Sequence, residues 1–135
     1  MKLQLPSDRH ATLRVVPMPA DTNAAGNIFG GWLMSQVDIG GSIVAIRRAQ
    51  GPVTTVAVNA FRFLLPVYVG DVVSLYGEVT RVGTTSITVD VRVYVERGLR
   101  SPTKVGEVEQ VAEATLTYVA IDAQYRKREV PPLPN

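Results

Sequence analysis

The sequence has no cysteine and a single histidine, His10. The missing cysteine excludes disulfides, a thiolate nucleophile and any cysteine-ligated metal. One histidine excludes a histidine metal cluster, and a Ser-His-Asp triad would have to rest on that near-terminal residue. Charge is sparse: 19% of residues are charged against 46% hydrophobic. That balance is globular and too apolar for a disordered chain. The formal net charge is only +2 and the pI about 9.2. Such a bias helps attract an anionic small molecule and makes no case for nucleic acid. Residues 1–9 lack the apolar run of a signal peptide. The most apolar segment of the chain is interrupted by glycine, Ser35, Gln36 and Asp38, so it is no membrane span. A cytoplasmic protein without membrane or nucleic-acid partners is expected.

The 135 residues suit one domain, 1–135. A short strand is expected from Ala11 to Met18, followed by a loop marked by Pro19, Asp21, Asn23 and Gly26. The segment FGGWLMSQVDIGGSIVAIRR, Phe29 to Arg48, reads as the one helix. Leu33, Val37 and Val44 repeat at helical spacing, and so do Trp32, Ile39, Ile43 and Ile46 on another face. A helix apolar nearly all round is expected to be buried. Strands follow over Val53 to Leu64, Asp71 to Val82, a long one through Ile87 to Glu96, and Val105 to Ile121. Gly83, Thr84 and Thr85 make a hairpin turn. In the third of these strands Ile87, Val89, Val91, Val93 and Val95 alternate with Thr88, Asp90, Arg92, Tyr94 and Glu96, the mark of one buried face. The tail from Tyr125 is basic, then proline-rich, and is expected to be disordered or laid over the surface. Strand, long helix, then four strands is not a βαβ alternation. The expected fold is α+β, one antiparallel sheet curling around one helix, with a partner subunit covering what the sheet leaves open.

Asp38 is the one charge between Asp21 and Arg47. Burying an ionised carboxylate costs several kcal/mol unless it is partnered. Asp is also a poor helix-interior residue, and Gly40 and Gly41 follow it. The chain keeps it either for chemistry or for a specific polar contact. The plainer alternative is a solvated stripe or a cap at the Gly40-Gly41 step.

The stretch DTNAAGNIFGGWLMSQVDIGG, Asp21 to Gly41, resembles the signature of hotdog-fold acyl-coenzyme A thioesterases, in the YciA-like group related to cytosolic acyl-coenzyme A hydrolase. The resemblance continues through FRFLLPVYVGDVV (Phe61 to Val73), VGTTSITVDVRVYV (Val82 to Val95) and EATLTYVAID (Glu113 to Asp122). It implies an acyl-coenzyme A hydrolase with Asp38 as the catalytic carboxylate. It implies that Asn23 helps place the attacking water and that the Gly30 N–H polarises the thioester carbonyl. Thr84, Thr85 and Ser86 match a turn near coenzyme A in relatives. No metal or cofactor is implied, since coenzyme A arrives as part of the substrate. A homo-oligomer is implied, a dimer at least, with a hexamer built as a trimer of dimers.

Spacing adds something the motif does not. A helix N-terminus offers free N–H groups and a positive dipole to an oxyanion, and Gly30 and Gly31 carry no side chain to hinder approach. These glycines also suit tight helix–sheet packing, and Asn23 also suits a turn. Asp38 lies eight residues beyond Gly30, on the order of 12 Å along a helix. One carbonyl carbon cannot touch both. The expected site is therefore shared: Asn23 and Gly30 from one subunit, Asp38 from its two-fold mate. Arg62, Arg81, Arg97, Lys104 and the Arg126-Lys127-Arg128 run are candidates for the coenzyme A phosphates, although most such charges are ordinary solvated ones. Rival readings are a non-catalytic acyl-coenzyme A binding protein, a hotdog dehydratase (which lacks its helix histidine here) and a nucleic-acid binder suggested by the basic tail.

Overall fold

A computed structural model describes residues 3–133. In chain order they form β1 (Leu13–Val15), a 3₁₀ turn (Pro19–Asp21), α1 (Gly30–Ala49), β2 (Val53–Phe63), β3 (Val72–Val82), β4 (Ser86–Glu96) and β5 (Val108–Ala120). The five strands make one sheet in the order β1-β3-β4-β5-β2, every pairing antiparallel. Register shifts between Thr55 and Ala57, Val58 and Ala60, Val79 and Arg81, and Val93 and Tyr94 bend it. The concave face holds α1. This is the α+β arrangement expected from the sequence.

The alternation of β4 decides which way the sheet faces. Ile87, Val89, Val91, Val93 and Val95 are all essentially inaccessible and pack on the helix side with Leu75, Ala112, Leu116 and Tyr118. Each such aliphatic side chain contributes roughly 1.5–3 kcal/mol relative to exposure. Tyr94, expected on the wet side, is buried too. Its ring packs edge-on against Tyr76 at 5.7 Å, and the Arg9 guanidinium covers Tyr76.

One expectation is corrected and two are refined. The first strand is shorter than Ala11 to Met18, because Pro17 has no N–H and Pro19 opens the 3₁₀ turn. The sheet covers one side of the helix, as expected. Leu33, Val37, Gly40, Gly41, Ala45 and Ala49 are buried, while Met34, Ile39 and Ile46 stay exposed, since a single sheet reaches only one face. Of the two expectations for the tail, its described part follows the second and is laid over the surface, tied down by hydrogen bonds. Val130 N–H donates to the Thr84 carbonyl, and Arg128 donates to the carbonyls of Ile121 and of Ala49, the last helical residue. A cation at a helix C-terminus also meets the favourable end of the dipole.

The exposed helix side chains are matched on β2, an edge strand, by exposed Val56, Val58 and Phe63. These exposed apolar side chains lie on α1 and β2, the two elements that carry Asp38 and Thr55.

Candidate active site

Asn23 begins the loop that leads into α1. Its side-chain oxygen accepts from the N–H groups of Ala25 (2.9 Å) and Asn27 (3.1 Å). The turn role is therefore real, and it fixes the amide: with Oδ1 occupied, the NH₂ end is the one left to donate. Ile28 N–H donates to the Val67 carbonyl and Phe29 N–H to the Asp21 carbonyl, which seats the loop against the segment after β2.

The helix then starts without a side-chain cap at Phe29. Trp32 and Leu33 N–H turn back to the Phe29 carbonyl. The N–H groups of Gly30 and Gly31 precede any intrahelical acceptor and, among the described residues, have no other. The two glycines differ in what surrounds them. A Cβ at Gly31 would meet open space, whereas one at Gly30 would lie 3.1 Å from the Phe63 ring. The bare Cα of Gly30 thus accommodates Phe63 within this chain. Beside these amides lies a cavity of about 340 Å³ lined by Asn23, Gly30, Leu33, Phe63, Leu65 and Val67, among others. Its walls are mostly apolar, with the helix N-terminus as the electrophilic end.

Asp38 is half-buried rather than enclosed, because the exposed helix flank begins next to it. Its Oδ1 accepts from Thr55 Oγ1 at 2.7 Å and lies 3.1 Å from the Tyr118 hydroxyl, which is also 2.9 Å from the Asp38 carbonyl oxygen. Thr55 and Tyr118 face each other across the β2–β5 pair. Burial first, then the charge of Asp38 and the hydrogen bond to it, push the Tyr118 hydroxyl far above the usual tyrosine range. Thr55 and Tyr118 escaped the sequence reading. Thr55 has no local signal. Tyr118 has one: it alternates inward with Leu116 and Ala120, and a buried tyrosine hydroxyl requires a partner.

Asn23, Gly30 and Gly31 are thus brought together, and Asp38 stands apart from them on the same straight helix. The Thr84–Ser86 turn lies beside the end of β5 and the tail, where the Thr85 carbonyl accepts from Ala120 N–H, two residues beyond Tyr118, and the Thr84 carbonyl from Val130 N–H. Arg62 pairs with Glu113 at 2.9 Å on the convex face of the sheet, away from both clusters. Two cationic candidates are corrected. Arg97 is buried and donates to Asp71, Glu109 and the Pro66 carbonyl, so it braces the cavity wall and is closed to a phosphate. Arg128 is consumed at the helix C-terminus. Among the described residues there is no group of three or more His, Cys, Asp or Glu placed to hold a metal, and no helix long and apolar enough to cross a membrane.

Residues 25–102 match the thioesterase superfamily. The chain is 48% identical over 119 residues to the acyl-CoA thioester hydrolase YciA of Escherichia coli (strain K12), covering 88% of this chain and 89% of that protein. A hexameric broad-specificity acyl-coenzyme A thioesterase of known structure superposes with a TM-score of 0.85 at 45% identity, over 95% of this chain and 85% of that one. The same enzyme has been solved with an aspartate replaced by alanine. The acyl-CoA hydrolase of Staphylococcus aureus, solved with butyryl coenzyme A and coenzyme A, superposes with a TM-score of 0.77 at 28% identity, over 88% of this chain and 70% of that one. Variants of it with an asparagine or a threonine replaced by alanine have also been solved. The chain belongs to the thioesterase superfamily, as a hotdog-fold thioesterase related to the YciA acyl-CoA thioester hydrolases.

Proposed function

We propose that this chain hydrolyses acyl-coenzyme A to free coenzyme A and a carboxylic acid, at two equivalent sites shared across a two-fold homodimer interface. Asn23 and the Gly30–Gly31 amides come from one subunit and Asp38 from the other. The observation that carries the reading is the division of chemistry along α1. The cavity at the Asn23–Gly30 end has donors and, among the described residues, no carboxylate in its lining, while Asp38 sits inside the helix, where the backbone amides are already paired. About 12 Å of helix separates them. An antiparallel pairing of two such helices sets each end against its complement. The apolar flank of Met34, Ile39, Ile46, Val56 and Val58 is what such a partner would cover. Relatives that act on acyl-coenzyme A and assemble as hexamers support both halves of the reading, and a trimer of such dimers is the assembly we propose.

The thioester carbonyl oxygen takes the Gly30 and Gly31 N–H groups at the positive end of the helix dipole. The Asn23 NH₂ holds the water or the carbonyl oxygen. Asp38 takes a proton from that water, or attacks the carbonyl carbon itself to give a mixed anhydride that water then opens. The C–S bond breaks, coenzyme A leaves as thiolate, and it is protonated from solvent or the carboxyl. No cofactor takes part. Thr84, Thr85, Ser86 and Arg62 are the proposed contacts to the coenzyme A portion. The turn enters beside the end of β5, and Arg62 reaches the ligand only from a neighbouring subunit's side. Thiol release from a panel of acyl-coenzyme A esters tests the reading. Asp38→Asn is expected to lose at least about 100-fold in kcat, the scale of a lost acid–base group. Saturable binding without turnover by the wild-type protein would establish a binding protein in its place. A single turnover in heavy-oxygen water separates the two roles of Asp38.

A further inference from the structure

We propose that Tyr118 is a positioning residue for the catalytic step: its buried hydroxyl fixes the Asp38 carboxylate, and Gly41 exists to let it reach. The inference rests on Asp38 being the catalytic group. An aspartate on a half-open helix flank has two rotatable side-chain bonds, and only one orientation points an oxygen at a neighbouring subunit's substrate. Thr55 and Tyr118 converge on Oδ1 from adjacent strands at 2.7 and 3.1 Å. Both act on the same oxygen and leave Oδ2 for the reaction. The two anchors differ in rigidity. Thr55 is exposed on edge strand β2, while Tyr118 is fully inaccessible, the largest of the wholly buried side chains, on the interior strand β5.

The Tyr118 hydroxyl has a single proton and two acceptors, Oδ1 and the carbonyl oxygen of Asp38, the latter at 2.9 Å. That one proton is shared between them as a three-centre bond, which sets the hydroxyl against both the side chain and the backbone of one residue. Gly41, three residues along α1, makes this possible. A Cβ there would sit 2.4 Å from the hydroxyl oxygen and 3.2 Å from the ring carbon that bears it. Alanine would favour the helix, so glycine at position 41 is explained by the tyrosine. Being wholly inaccessible, the tyrosine has no surface with which to touch substrate.

The test is steady-state thiol release by Tyr118→Phe, with subunit assembly and thermal stability measured in parallel. Phenylalanine fills the same space and lacks only the hydroxyl. The expected result is a kcat lowered roughly ten-fold with KM within about two-fold of wild type. Tyr118→Phe and Thr55→Val are expected to be non-additive in kcat, because both orient one carboxylate. Gly41→Ala keeps the hydroxyl but drives it off Asp38, and is expected to show the same loss of kcat at constant KM. Wild-type kcat in an assembled Tyr118→Phe protein, or in Gly41→Ala if the first variant does not fold, overturns the proposal. So does a loss carried by KM. Asp38→Asn run alongside keeps the two claims apart. If it retains turnover, the assignment of Asp38 falls, and this proposal with it. If it is inactive while Tyr118→Phe is normal, the role of Tyr118 alone is refuted.

Discussion

Two inactive proteins are expected to repair each other if the site is shared. Asn23→Ala removes the donor at one end of the helix and Asp38→Asn the carboxylate at the other, on the order of 12 Å away along α1. In a homodimer of either variant both sites carry the lesion. In a mixed dimer one site collects both substitutions and the other collects none. Equal amounts pairing at random make half of the dimers mixed, so about a quarter of the wild-type sites return. Assembly of dimers into hexamers leaves that arithmetic unchanged. The variants would be co-expressed with different tags, or unfolded and refolded together, and thiol release compared with each parent alone. Two preparations of Asp38→Asn treated in the same way are the control. Activity of the mixture no greater than the sum of its parents would refute the shared site, and with it the reasoning from helix length.

The brace around Arg97 predicts a stability effect. Its side chain is 3% exposed and that of Asp71 wholly buried. Asp71 also accepts from Tyr68 N–H, Gly98 N–H and Ser101 Oγ. Arg97→Met strands a buried carboxylate and is expected to cost about 3–5 kcal/mol, read from urea unfolding at fixed protein concentration. Adding Asp71→Asn removes the stranded charge while keeping an acceptor, and should recover part of the loss. A double variant weaker than Arg97→Met would contradict this account. Tyr118 predicts an alkaline effect. Its hydroxyl keeps its proton in the fold above the value of 10.0 expected of a free tyrosine. The unfolded chain releases that proton first, so the stability tied to it is complete below about pH 10 and declines as pH rises further. Tyr118→Phe should flatten that decline and should remove no phenolate absorbance from the folded protein short of alkaline unfolding.

The local pattern determined much of this molecule. The five-fold alternation from Ile87 to Val95 specified a strand with one dry face, because side chains on a strand must take opposite sides. The run from Phe29 to Arg48 specified a helix whose bounds moved by one residue at each end, and Asp38 stood out in it as an acid among apolar neighbours. The distance between Asp38 and Gly30 also followed from helix rise, since eight residues of a straight helix set a length whatever surrounds it. Tertiary structure decided whatever depended on residues distant in sequence. Thr55 and Tyr118 lie 17 and 80 positions from Asp38, and no window of sequence contains that meeting. Arg97 looked like any other surface cation until Asp71, Glu109 and the Pro66 carbonyl closed around it. Gly30 suited both a ligand's approach and tight packing, and only the fold shows that β2 places Phe63 against it. Periodicity constrains which face a side chain occupies; the atoms it meets there depend on how separate strands register, and that is settled only when the sheet closes over the helix.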